Sequence, residues 1–262
     1  MKYFNVFLTG IKETIVYRAE FFSGLLAAFL NLLVLWFAWN AVFAASGLQV
    51  IGGFTISLMI TYLIISSCLR PLTYTDIEYE MESDVRTGGI SVFLTKPVSY
   101  PLFRLFKGFS NTVFHIITNV IPIFLVSILL IKISLPLNVV FFLISVFLAY
   151  FVNYFLAFLT GMWAFFSVGS IWGIKLSKQI VTDIMSGAVI PLVLFPQWFI
   201  NIANLLPFQA IFNIPLLIYI GKIVGIDIFY SFIQQIFWIL VLGSLSYVAW
   251  KRAEKKIVVQ GG

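Results

Sequence analysis

From Phe21 to Leu69 the chain carries no charged side chain, and similarly bare stretches separate Lys107 from Lys132, Lys132 from Lys175, Asp183 from Lys222 and Asp227 from Lys251. A bilayer core is crossed by roughly 20 consecutive apolar residues, so each of these stretches is long enough to span one. Only 10% of the residues are charged and 61% are hydrophobic, whereas a soluble domain has roughly 25% charged residues. The chain therefore reads as a single all-α integral membrane domain over residues 1–262, crossing the bilayer several times.

The same composition closes off other classes. A formal charge of +6 is spread over the segments between spans and bears on topology, not on nucleic acid. The single cysteine, Cys68, leaves no internal disulfide and no paired-cysteine metal or redox site, and the lone histidine, His115, leaves no two-histidine metal site. Lys12, Glu13, Arg18 and Glu20 interrupt what would be the apolar core of a cleavable signal.

Residues 1–20 read as an amphipathic helix lying in the membrane interface, because Phe4, Leu8, Ile11 and Ile15 recur at helical spacing among charged residues. A plain extension of the first span is the alternative. Ser46-Gly47 and Gly52-Gly53 supply a turn inside the first uncharged run. Spans are expected near 22–45 and 54–72, then near 108–131, near 138–166 as one long helix, from Leu176 to about Pro196, and near 228–250. The stretch 198–225 is apolar but interrupted by Asn201, Asn204, Pro207, Asn213, Pro215, Gly221 and Gly225. Backbone groups freed by such breakers cannot face lipid unpaired, so short re-entrant or interfacial helices packed on the protein are expected there.

Six spans agree with the excess of basic residues found on cytoplasmic loops. With both termini in the cytoplasm, only Lys132 and Lys222 of the 16 Lys and Arg fall outside. A seventh span would put Lys251, Arg252, Lys255 and Lys256 on the wrong side. The scheme places the densely charged stretch 73–107 in the cytoplasm and implies a plasma-membrane protein.

Within that stretch Asp76, Glu78, Glu80, Glu82 and Asp84 alternate with other residues. On a helix, 76, 80 and 84 share one face, with 78 and 82 nearly opposite, and Ile77, Met81 and Val85 form an apolar line between them. An apolar line with acidic flanks suits a short helix lying against a soluble protein partner, and Ile77, Glu78, Met81, Glu82, Val85 and Arg86 are the expected contact. A solvated loop helix is the plainer alternative. A strand would align all five carboxylates as a cation site.

No zinc-protease, nucleophile-elbow or phosphate-loop motif occurs, and Gly221-Lys222 lacks the upstream glycine and the following hydroxyl residue of a phosphate loop. No catalytic, cofactor or metal residues are assigned, and any ATP-driven work needs a motor in another subunit. Ionisable groups at membrane depth are candidate pathway residues. Asp183 is expected to pair with Lys178 or Lys175 near the interface, with a pathway role as the alternative. Asn111, His115 and Asn119 share a helix face and are expected to hydrogen-bond between helices, with substrate contact or proton relay as the alternative. The tryptophans fall mostly towards span ends, where indole rings anchor at the interface; an aromatic cavity for an amphiphile would look the same in composition.

At this level the chain resembles the permease subunit of ABC-2-type ATP-binding-cassette transporters. Asp84-Val85-Arg86-Thr87-Gly88-Gly89-Ile90 followed by Phe93-Leu94-Thr95-Lys96-Pro97 is similar to that family's acid-(I/V)-R-x-G … L-x-x-P pattern. Leu206-Pro207-Phe208 … Pro215 … Gly221 is similar to its L-P-F … P … G pattern. The second glycine and Ile90 depart from it. The resemblance implies a half-transporter working as a homodimer or with a similar permease, together with cytoplasmic ATPase subunits that bind ATP and magnesium. It implies that the helix near 76–87 is a coupling helix seated in the ATPase, that residues 198–225 cap the outer side, and that the direction is export by alternating access. The rival readings are a non-transporting membrane scaffold whose loop binds another soluble protein, and a membrane enzyme acting on lipids. The poverty of His, Cys and intramembrane acids argues against the second.

Overall fold

The computed structural model describes residues 4, 6–9, 18–73, 75–95, 98–131, 136, 138–166 and 170–260. Residues 6–9 are helical. Most of the expected interfacial helix, and Lys2, Lys12, Lys96 and Lys132, lie outside the described residues. The first long helix, α1 (Arg18–Ser46), already includes Arg18 and Glu20, ahead of the expected span near 22–45.

Between α1 and α2 (Ile56–Thr73) the anticipated turn is a small antiparallel hairpin, β1 (Val50–Ile51) against β2 (Phe54–Thr55). Gly52 and Gly53 both have positive φ, 57° and 78°, the two-residue turn whose twist matches paired strands. Pro71 lies inside α2 near its end, where it cannot donate to the carbonyl of Ser67.

The charged stretch is not a loop. It folds as α3 (Ile77–Arg86), α4 (Ile90–Thr95) and the first turns of α5 (Tyr100–His115). Gly88, at φ 72°, caps α3 with its N–H on Val85 O at 3.3 Å, which is the task a glycine performs after a helix. The helix carrying the third apolar stretch therefore starts at Tyr100, with Pro101 in its first turn.

Past His115 the helix widens into a π turn, Ile116–Val120, before α6 (Ile121–Ile131). Pro122 explains it: its ring would clash with the carbonyl four residues back in a regular helix. One helix, α7 (Val139–Gly161), continued by a 3-10 turn Met162–Phe165, fills the next stretch. Its 23 residues span about 34 Å at 1.5 Å per residue, enough for the hydrocarbon core.

The expected helix from Leu176 to Pro196 is corrected. α8 (Trp172–Met185) has 14 residues, about 21 Å, and stops short of a crossing. Gly187 at φ 75° and Pro191 break the chain there. The carbonyls released are paired by α2: Tyr62 Oη donates to Gly187 O at 2.7 Å and Ser66 Oγ to Ala188 O at 2.6 Å. Irregular backbone at this depth is tolerated because protein, not lipid, surrounds it. Two short helices follow, α9 (Gln197–Asn204) and α10 (Asn213–Tyr219), joined by a 3-10 turn Pro207–Ala210. The last helix, α11 (Ile226–Gln260), is the longest among the described residues.

Among the described residues, four stretches carry helix long and apolar enough to cross a membrane: one within Ile56–Arg86, where α2 lies, and Tyr100–Leu125, Val139–Phe165 and Ile226–Lys255. The core has two parts. One packs α2, α7, α10 and the hairpin around Phe54, Tyr62, Leu69, Ile211 and Leu216. The other gathers Ile77, Met81, Tyr100, Tyr154, Phe158, Met162 and Trp250, joining α3 to the ends of α5, α7 and α11. Buried Gln235 ties α11 to α7 and to the 207–210 turn, donating to Ser145 O at 3.0 Å and Ala210 O at 2.9 Å.

The two ends of the bundle separate cleanly. At one end Gly52 lies so close to Leu194 that a β-carbon would come within 2.4 Å of it, and Lys222 Nζ sits 3.7 Å over the Phe54 ring. Burial pulls the Lys222 ammonium pKa down, while the ring face favours its charge. At the other end are α3, the 162–166 turn and the charged end of α11.

Candidate functional site

α3 is a ten-residue helix whose sides go to different neighbours. Ile77 and Met81 are buried, with Met81 fully enclosed. Met81 lies against Gly161 at the end of α7, where a β-carbon would meet Met81 Sδ at 2.7 Å and Glu78 Cα at 3.3 Å. The absence of a side chain at 161 is what lets α3 rest on the membrane helix.

The acids do the rest. Asp76 accepts from Lys175 Nζ at 2.7 Å and Glu78 from Lys178 Nζ at 2.5 Å, both lysines belonging to α8. Glu82 Oε1 accepts from the backbone N–H of Ile171 at 3.4 Å, just before α8 begins. On the other side Arg104 of α5 pairs with Glu80 at 2.6 Å and with Asp84. Lys107 adds a 3.3 Å contact to Glu80. Tyr100 Oη donates to Asp84 Oδ2 at 2.7 Å.

The alternating acids are thus a two-sided clamp: 80 and 84 reach α5, while 76, 78 and 82 reach α8. The clamp is partly dry, since Glu78 is 0%, Arg104 4% and Lys175 5% exposed. Removing one partner of such a pair leaves an uncompensated buried charge, which costs about 3–5 kcal/mol. Spread over a helix, the five acids form no single-sided cation site.

Ile77, Glu78 and Met81, expected to meet a soluble partner, are taken up by this chain's own α7 and α8. Val85 and Glu82 are half-buried, and Arg86 is exposed. The open edge of α3 is instead Tyr79, Ser83 and Arg86. At 100° per residue these three lie across the helix from the Ile77–Met81–Val85 line.

Asp183 also finds a partner other than the one expected. Arg70 Nη1, at the end of α2, donates to both its carboxylate oxygens, at 2.8 and 2.9 Å. Lys175 and Lys178 are held by Asp76 and Glu78 instead. A cavity of about 50 Å³ beside this pair is lined by Arg70, Thr75, Lys178, Thr182, Asp183 and Phe212. Asn153 of α7 donates to Thr73 O and closes the end of α2.

Of the other polar residues, Asn119 Nδ2 lies 3.1 Å from His115 Nδ1 across the π turn, a contact within one helix, and Asn111 is half-buried one turn earlier. Sequence reasoning did not single out Arg70, Tyr100, Arg104 or Gln235. Arg104 had a signal: it is a guanidinium in the first turns of an apolar helix, 20 and 24 positions downstream of two acids of α3.

No match is found among curated proteins. The family model described as ABC-2 family transporter protein matches residues 29–261. It begins within α1 and runs through α11, including the clamped α3. The chain therefore belongs to the ABC-2 transporter family and is a multi-pass membrane permease.

Proposed function

We propose that the chain is the membrane half of an exporter powered by a separate ATPase, with α3 as the element that receives the ATPase stroke. The observation that carries this reading is the clamp. A helix bound on one side to α5 and on the other to α8, with one edge left open, transmits a push on that edge into two membrane helices at once. The interior ion pairs make α3 stiff with respect to both, and the close contact at Gly161 holds it against α7.

The six-span scheme fits the two ends of the bundle. The hairpin, the 187–196 segment and Lys222 gather at one end, and α3, the 162–166 turn and the charged tail of α11 at the other. A crossing built from α8 and the irregular stretch after it, whose carbonyls α2 caps, supplies the fifth. With the basic end inside, both termini are cytoplasmic in the plasma membrane, and α9 and α10 sit on the outer side. Two such permeases, identical or similar, with two ATPases would expose a path alternately to either side, and ATP and magnesium belong to the ATPase.

The test is co-purification of the ATPase subunit encoded beside the permease. It should elute with the wild-type chain and be lost when Tyr79→Ala and Arg86→Glu are combined. Unchanged retention of the ATPase would leave α3 a structural strut, as in a membrane scaffold.

A further inference from the structure

On the far side of the clamp, a cavity of about 480 Å³ opens between α7, α11 and the corner before α5. We propose that this slot holds one membrane phospholipid with an anionic headgroup. The proposal goes beyond the transport reading and uses only its placement of the bilayer along α11.

The wall supplied by α11 is graded. Gly243, Ser246, Tyr247, Trp250, Lys251 and Glu254 line the slot at spacings of three and four, one face of the helix. From Gly243 to Lys251 the helix rises about 12 Å, from bare backbone through aromatic rings to charge. That is the order a lipid presents from acyl chain to headgroup. The opposite wall is aromatic, with Tyr154, Phe155 and Phe158 of α7. The two helices meet at Gly243, where a β-carbon would just touch the Phe155 ring at 3.4 Å and a larger side chain would enter the slot.

Charge complementarity decides the occupant. Lys251 is exposed at the mouth and bound to Glu254 at 2.9 Å, and Arg252 and Lys255 are exposed beside it on α11, so that segment 251–255 carries three bases and one acid. These charges need water, so the mouth stands at the boundary of the bilayer, where basic residues just beyond a span attract anionic lipid. Leu102 and Tyr247, both exposed, flank the opening, so the slot faces the acyl region and a lipid enters sideways without leaving the membrane. Size agrees too, since ligand sites are mostly apolar clefts of about 300–1,000 Å³ with a few fixed polar groups. The inner wall also touches the clamp: Trp250 stacks on Tyr100 at 4.8 Å, and Tyr100 holds Asp84.

The experiment uses the full chain in nanodiscs of phosphatidylcholine, with and without one quarter phosphatidylglycerol, followed by native mass spectrometry. The expected result is a permease that retains phosphatidylglycerol after delipidation and melts higher in the mixed discs. Lys251→Glu, on an exposed side chain, should cut that retention by about fivefold or more while leaving the melting point in pure phosphatidylcholine unchanged. Gly243→Leu should block retention of either lipid, and its melting point in phosphatidylcholine shows whether it folds. Equal retention of phosphatidylglycerol by wild type and Lys251→Glu, or equal retention of phosphatidylcholine and phosphatidylglycerol by the wild type, would overturn the proposal.

Discussion

Glu78, fully enclosed on α3, receives the Lys178 ammonium of α8 at 2.5 Å, a bond between residues 100 positions apart. It ties α3 to α8, whose other charges are likewise engaged, Lys175 by Asp76 and Asp183 by Arg70. Motion of α3 is therefore motion of α8.

Breaking this bond from one side should be severe and from both sides milder. Glu78→Ala leaves Lys178 largely buried and unpaired and is expected to destabilise by about 3–5 kcal/mol, whereas Glu78→Leu with Lys178→Met should recover most of that loss. Thermal unfolding of the wild type and both variants in detergent checks it. A double variant as unstable as the single would show that the pair is not the interaction lost.

Arg104 engages two carboxylates through one planar fork, and lysine presents a point charge instead. Arg104→Lys should keep the charge balance but hold either Glu80 or Asp84 and not both. The expected outcome is a folded permease whose α3 amides exchange faster by hydrogen–deuterium exchange, with α7 unaffected.

Gly161→Val should force α3 off α7. Its β-carbon would be within 2.7 Å of Met81 Sδ, and overpacking of this kind costs about 1–3 kcal/mol. Met81→Ala in the same chain makes room, so the pair of substitutions should restore stability relative to Gly161→Val alone.

The broken helix after Met185 depends on α2. Tyr62→Phe removes the donor to Gly187 O and should cost about 1–3 kcal/mol, the penalty of a buried carbonyl left without a partner. Gly187→Ala should be destabilising as well, because the backbone there is at φ 75° and a β-carbon would lie 3.3 Å from Leu192 N. Melting temperatures of both variants report the result.

Much of the layout was legible because charge is so scarce in this chain. The bare stretches located most of the long helices, the glycine pair located the hairpin turn, and the i, i+4 apolar line located α3. What the line could not say is what buries it. Ile77, Met81 and Val85 mark a face that leaves water, and a hydrophobic stripe reads the same whether it packs on the chain's own α7 or on another protein. The partner of Asp183 was missed for a related reason: neighbours in sequence were favoured, and Arg70 is 113 positions away. The helix expected from Leu176 to Pro196 failed because apolar composition hid the stop at Gly187, which only the hydrogen bonds of Tyr62 and Ser66 make tolerable.

The most direct test of α3 as the receiving element is a cross-link. Cys68 is buried, so a single reactive thiol can be placed on the open edge of α3 by Ser83→Cys, in membranes that also contain the ATPase. Docking through this edge predicts that a short bifunctional reagent joins position 83 to the ATPase, that ATP changes the yield, and that Gln197→Cys at the opposite end gives no product. A cross-link from position 197 and none from position 83 would contradict it.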